Sequence, residues 1–226
     1  MPVGNATLGV YEMNLESSTQ VGLRGHRVMD AERRAEQRRA IIRAAARVFT
    51  RESYYTATMD DIAQELGVSK GVLYYQFRSK EDVFREILVI AISEALRRLV
   101  ATNARGGSAA GRLREGMREL IAYNLDEDTP NYSAMMVIGS ARALSGENRE
   151  RVRDLQRQYQ NFVAEIIREG VRDGEFAAPN AHVAAMNILA GANGVSNWFV
   201  AGRAVDAAGV ADQVSEQLVR GILANC

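Results

Sequence analysis

After residue 30, apolar residues recur three and four positions apart along almost the whole chain, and no stretch alternates with a period of two. That spacing builds helix faces and offers no strand, so it commits the chain to an all-α fold. Residues 31–51 set Ile41, Ile42, Ala45, Val48 and Phe49 on one face and arginines on the other, with Asp30 placed as N-cap. Thr58 opens a short helix to Leu66, with two acids at its positive dipole end, and Gly67 stops it. Ser69 then caps a second short helix reaching about Gln76. Ser79 with Asp82 opens a long helix carrying Phe84, Ile87, Leu88, Ala91, Ile92, Ala95, Leu96 and Leu99. Helices at 108–125, 131–144, 147–173 and 180–199 follow, and a last one after Asp206, each bounded by Gly, Ser, Pro or Asp. The prediction is about nine helices. Three Pro in 226 residues and 7% aromatics agree with it.

Several function classes fall away early. The single Cys226, with His26 and His182 far apart, leaves no disulfide framework and little material for a metal site. No Ser–His–Asp pattern, HExxH or glycine-rich phosphate loop is present. The acids Asp126, Glu127 and Asp128 sit on a turn. No enzyme and no cofactor is predicted. Residues 177–202 carry no formal charge and are long enough to span a bilayer, but Asn180, Asn187, Asn193, Ser196 and Asn197 suit a helix buried between protein elements. With no export segment at the N-terminus, the expected setting is the cytoplasm and not a membrane.

The overall charge is zero, which looks like evidence against a nucleic-acid partner. Its distribution says otherwise. Residues 24–80 carry 12 Lys/Arg against seven Asp/Glu, a net of +5, and the remainder is acidic. Much of the excess lies in the arginines of residues 33–51, among them Arg38 and Arg39 as candidate DNA-backbone contacts; the same run also fits a solvated helix face with Glu32 and Glu36 as partners.

Within this basic segment, Ala63 permits a close helix crossing, Gly67 reverses the chain, and Val68, Leu73 and Phe77 plug a small core, the arrangement of a helix–turn–helix. Its second helix is left exposed for a DNA major groove. Thr58 and Ser69 offer hydroxyls to phosphate, and Lys70, Tyr74, Tyr75, Gln76 and Lys80 supply cations, phenols and an amide. The chain's two lysines are both here. The organisation predicted is a tail at 1–27, a DNA-binding unit at 28–78 and a regulatory unit at 79–226. A helical scaffold or adaptor, or a small-molecule-binding protein without DNA binding, is the alternative.

The run from Thr58 to Glu81, TMDDIAQELGVSKGVLYYQFRSKE, resembles the DNA-binding signature of TetR-type transcriptional regulators, over about residues 38–88. The resemblance implies a homodimeric repressor with a DNA-binding head and a helical domain that binds a small molecule. It implies phosphate contacts at Thr58, Tyr74 and Lys80, and base-edge or groove-wall positions at Lys70, Gly71, Tyr75 and Gln76. Gln76 then suits adenine and Lys70 guanine. Val72 departs from the family's frequent hydroxyl and suits a thymine methyl. Candidate pocket residues are Met117, Tyr123, Met135, Met136, Tyr159, Phe162, Met186, Asn187 and Trp198, each also fitting a core position. Ala190, Gly191 and Gly194, with the stripe Val210, Val214, Leu218 and Ile222, are the implied dimer face. The stretch Asn197-Trp198-Phe199 before the Asp206 helix resembles regulators that respond to acyl-CoA or related lipids, and a lipophilic effector is expected.

Overall fold

The computed structural model describes residues 18–126, 140–202 and 205–224. Among these are eight α-helices, two short 3-10 turns and no strand beyond one isolated bridge. The expected helix at 131–144 lies mostly outside the described residues; its end, Ser140–Ala143, is one of the 3-10 turns.

Two compact units meet between Arg39 and Ala40. Helix α1 (Ser18–Glu52) runs through that division. It starts well before Asp30, so Asp30 is an interior residue and not the N-cap, and residues 18–27 are helical rather than a tail. The Ala, Glu and Arg of residues 31–40 are strong helix formers, and propagation upstream needs only one bond per added residue. In the first unit Arg39 pairs with Glu36 one turn earlier, at 2.8 Å, and both are exposed.

From Ala40 onward α1 shares a buried core with α2 (Met59–Leu66), α3 (Lys70–Gln76) and the start of α4 (Lys80–Asn103). Ile41, Ala45, Val48, Ile62, Leu73, Val83 and Ile87 are all fully enclosed. Gly67 ends α2 in the left-handed region (φ 70°), where a side chain is disfavoured. That reversal lets the Gly67 and Val68 N–H groups donate to the carbonyls of Gln64 (3.1 Å) and Ala63 (3.0 Å). Phe49, Tyr54 and Phe84 close the core from one side, with Tyr54 stacked on Phe84 at 4.3 Å between ring centroids.

The body follows from α4. It packs against α5 (Ala109–Leu125) and α6 (Gly146–Arg172), α6 packs against α7 (Ala181–Gly194), and α5 packs against α7 and α8 (Ala207–Arg220). Asp206 caps α8 as the sequence suggests, and Asn180, expected as the first residue of α7, is instead its cap. Helix α7 ends at Gly194, short of the predicted Phe199, and passes into a 3-10 turn at Val195–Asn197. No helix among the described residues is long and apolar enough to cross a membrane.

A strut ties the body's ends. Phe176 bridges to Leu223, and the Glu175 carboxylate accepts the first N–H groups of α5, from Ala109 (2.9 Å) and Ala110 (3.0 Å). These bonds hold the Glu175 carboxyl below its usual range. The Phe176 ring lies so close to Gly170 that a Cβ there would sit 2.2 Å from Cδ2. Gly170→Ala is therefore expected to cost about 1–3 kcal/mol by overpacking, read as a lower urea midpoint with an unchanged m-value.

Candidate nucleic-acid interface

Three side-chain arrangements set the geometry of the basic segment. The first is the start of α2. The Thr58 hydroxyl accepts the Asp61 N–H (3.2 Å) and donates to Asp61 Oδ2 (2.7 Å), while the Thr58 N–H donates to the same oxygen (2.8 Å), a complete capping box. These bonds hold the Asp61 carboxyl below its usual range. They also commit the Thr58 O–H inside the cap, so its predicted donation to phosphate requires that bond to open.

The second is α3 itself. Tyr74 and Tyr75 are 47% and 74% exposed, on the face opposite the buried Leu73. Ser69 stands in extended backbone before the helix but makes no side-chain capping bond, which corrects its expected role as a cap and leaves the hydroxyl facing outward. Gly71 is exposed, Val72 half-buried, and Gln76 half-buried with a partner inside the chain. The Lys70 ammonium lies 2.7 Å from Asp60 Oδ1 and 5.9 Å from the centre of the Tyr74 ring.

The third is at Lys80. Its Nζ donates to the carbonyls of Tyr54 (2.7 Å) and Ala57 (2.7 Å), approaches that of Tyr55 (3.5 Å), and sits 4.6 Å from the centre of the Tyr54 ring. Burial pushes its pKa down. The ammonium therefore ties down the loop between α1 and α2, and its predicted contact to phosphate requires those bonds to loosen. The next residue, Glu81, faces the body. Its carboxylate accepts the Ser145 N–H (2.8 Å) and Oγ–H (3.0 Å), both at the start of α6, and the Asn148 amide (3.2 Å).

The arginines of α1 are largely engaged. Arg47 and Arg51 converge on Glu65 of α2, at 2.8 and 3.0 Å, and brace the two helices. Arg38 is half-buried and partnered, and Arg39 holds Glu36. Arg47 and Arg51 remain more than half exposed in these pairs, so the open surface includes them alongside α3.

In the body, the predicted pocket residues separate. Met117 and Tyr159 are buried, and Phe162 is half-buried. The Tyr159 hydroxyl receives the Asn193 amide (3.5 Å), whose oxygen receives Asn124 (3.3 Å), so α5, α6 and α7 share one buried polar string. Burial raises the Tyr159 pKa. Tyr123 lies under the Arg98 guanidinium, 4.1 Å from the ring centre. Asn124 and Arg98 were not foreseen: a single Asn or Arg on an amphipathic helix carries no pattern. Met135 and Met136 lie outside the described residues.

Met186, Asn187 and Trp198 are instead on the outside, with Met186 43% and Trp198 58% exposed. The buried side of α7 is taken by Ala185, Ile188, Leu189 and Ala192, and Trp198 lines an open surface groove. Val210 is buried, and Val214, Leu218 and Ile222 pack against the chain's own core. Gly191 is the close-approach point for Leu218, whose Cδ2 would lie 2.6 Å from a Cβ. Ala190 faces outward. An open groove of about 420 Å³ lies between Trp198, Phe199, Val200 and Val205 on one side and Val210, Gln213, Val214 and Gln217 on the other.

An exposed aromatic second helix in a helix–turn–helix is the arrangement of a DNA-binding unit. Residues 41–87 match the model of bacterial regulatory proteins of the tetR family, and residues 106–222 match the tetracyclin repressor-like C-terminal domain. The chain belongs to the TetR family. It is 29% identical over 154 residues to the uncharacterized HTH-type transcriptional regulator YfiR of Bacillus subtilis (strain 168), covering 64% of this chain and 70% of that one. It is 23% identical over 185 residues to the fatty acid metabolism regulator protein of the same organism, covering 80% and 93%. Its fold is similar to that of AibR in complex with isovaleryl coenzyme A and operator DNA, with a TM-score of 0.72 and 21% identity over 81% of this chain and 98% of that one.

Proposed function

We propose that the protein is a homodimeric repressor, released from a palindromic operator by a small lipophilic effector, with 28–78 as its DNA-binding unit and 79–226 as its regulatory unit. The observation that carries this is α3: seven residues whose buried side is fixed by Leu73 and whose open side presents Lys70, Tyr74 and Tyr75 together. Tyr74 and Ser69 serve phosphate, and Lys70, Gly71, Val72, Tyr75 and Gln76 serve the groove. The test is a gel shift at moderate salt with DNA from upstream of the chain's own gene, followed by release on adding candidate effectors.

An acyl thioester is the effector class that the fatty acid metabolism regulator and AibR suggest. Its proposed contacts are Met117 and Tyr159, buried in the core, and Phe162, half-buried and packed against it. Titrating the operator complex with short and long acyl-CoA thioesters, against free fatty acids, tests the class.

The dimer face proposed is the outer side of α7 (Val183, Met186 and Ala190) together with Trp198 and its groove. Exposed aromatics of this size are typical anchors of protein interfaces. Trp198→Arg is expected to raise the dimer dissociation constant by roughly tenfold to a hundredfold. Sedimentation equilibrium checks it, and an unchanged constant removes this face from the interface. Ligand then acts by favouring a dimer geometry whose recognition helices no longer stand about 34–36 Å apart, the spacing of one DNA turn.

A further inference from the structure

We propose that Asp60 sets the sequence specificity of the DNA-reading face by holding Lys70, without itself bonding to DNA. The inference rests on α3 being the recognition helix. Asp60 is the second residue of α2 and Lys70 the first of α3, and the Gly67 reversal brings them together. Both carboxylate oxygens meet one ammonium, at 2.7 and 2.9 Å. The neighbouring Asp61 is locked into the Thr58 cap, so two consecutive acids have different duties. Helix capping does not need Asp60.

Both members of the pair are open to solvent, at 54% and 64% of their side-chain surface. An exposed pair of this kind opens at little cost. On DNA of the wrong sequence the ammonium has only phosphates to gain, and it already holds a carboxylate. Lys70 therefore contributes no counterion release there. At the right sequence the ammonium exchanges the carboxylate for the O6 and N7 acceptors of a guanine. Asp60 thus lowers affinity for the wrong DNA more than for the right one, which is how a repulsive element produces specificity. The bond to Asp60 also raises the Lys70 pKa.

The experiment uses the full chain with two duplexes, one enriched by the protein from a randomised pool and one of shuffled sequence. Asp60→Asn is expected to tighten binding to the shuffled duplex about two- to fivefold. Its plot of log affinity against log salt should steepen by about 0.9 per protomer, the value of one added phosphate contact. Affinity for the enriched duplex should change less, so the ratio falls. Asp60→Glu, which keeps the charge, should leave the ratio near that of the native chain. In a Lys70→Gln background, Asp60→Asn should have no effect on the ratio or the slope. Equal tightening on both duplexes, or the same gain without Lys70, overturns the proposal and leaves the recognition helix standing. Enrichment of no sequence at all overturns both.

Discussion

Tyr74→Ala is expected to weaken operator binding by roughly 10²–10⁴ while leaving the free energy of unfolding unchanged. A hydrogen bond to a charged group is worth about 1.5–3 kcal/mol, and a dimer on a palindrome makes the contact twice. Tyr74 is half-exposed on α3 and contributes little to the core, which Leu73 and Phe77 fill. Truncation therefore removes a contact without opening a cavity. Gel shift and urea denaturation on the same preparation check both halves. Unaltered binding would take α3 out of the interface, whereas lost binding with lost stability would point to a structural role.

Lys80→Ala is expected to do the reverse of what a phosphate contact does. It leaves the carbonyls of Tyr54 and Ala57 without their donor and uncovers the Tyr54 ring. Each unpaired carbonyl costs about 1–3 kcal/mol, and water reaches part of this half-buried site, so a loss of about 2–4 kcal/mol is expected. Denaturant titration reads it directly. A phosphate-binding Lys80 predicts instead unchanged stability and a salt slope lower by about 0.9 per protomer. Operator affinity falls in both cases; stability separates them.

The helix–turn–helix was legible because its determinants are local. Thr58, Asp61, Gly67, Leu73 and Phe77 lie within twenty residues and act on near neighbours, so spacing alone gives the caps, the reversal and the small core. Lys80 was legible as a cation of the motif but its partners were not, because they lie 23 to 26 residues upstream, in a loop without periodicity. Its position in the motif suggested a DNA contact, and only the folded loop shows where the ammonium goes. Helix α7 failed for another reason. Its residues are apolar almost all round, so the sequence carries no inside and outside, and Met186 and Trp198 could be placed on either. The direction of the α8 stripe was hidden because a stripe shows that a face is covered and does not show by which chain. Asp30 marked a plausible start, but a cap residue stops a helix only where the upstream chain leaves it.

Lys80 and Glu81 are consecutive, yet their side chains belong to different neighbourhoods: one grips the loop that precedes α2, the other the first turn of α6. Their α-carbons are about 3.8 Å apart. If α6 shifts its start, either the bonds at Glu81 break or the first turn of α4 follows, and with it the loop that Lys80 holds. Between the body and the α1–α2 loop the relay is thus one peptide unit long. A unit that is planar and stiff to rotation absorbs almost none of the displacement it is handed.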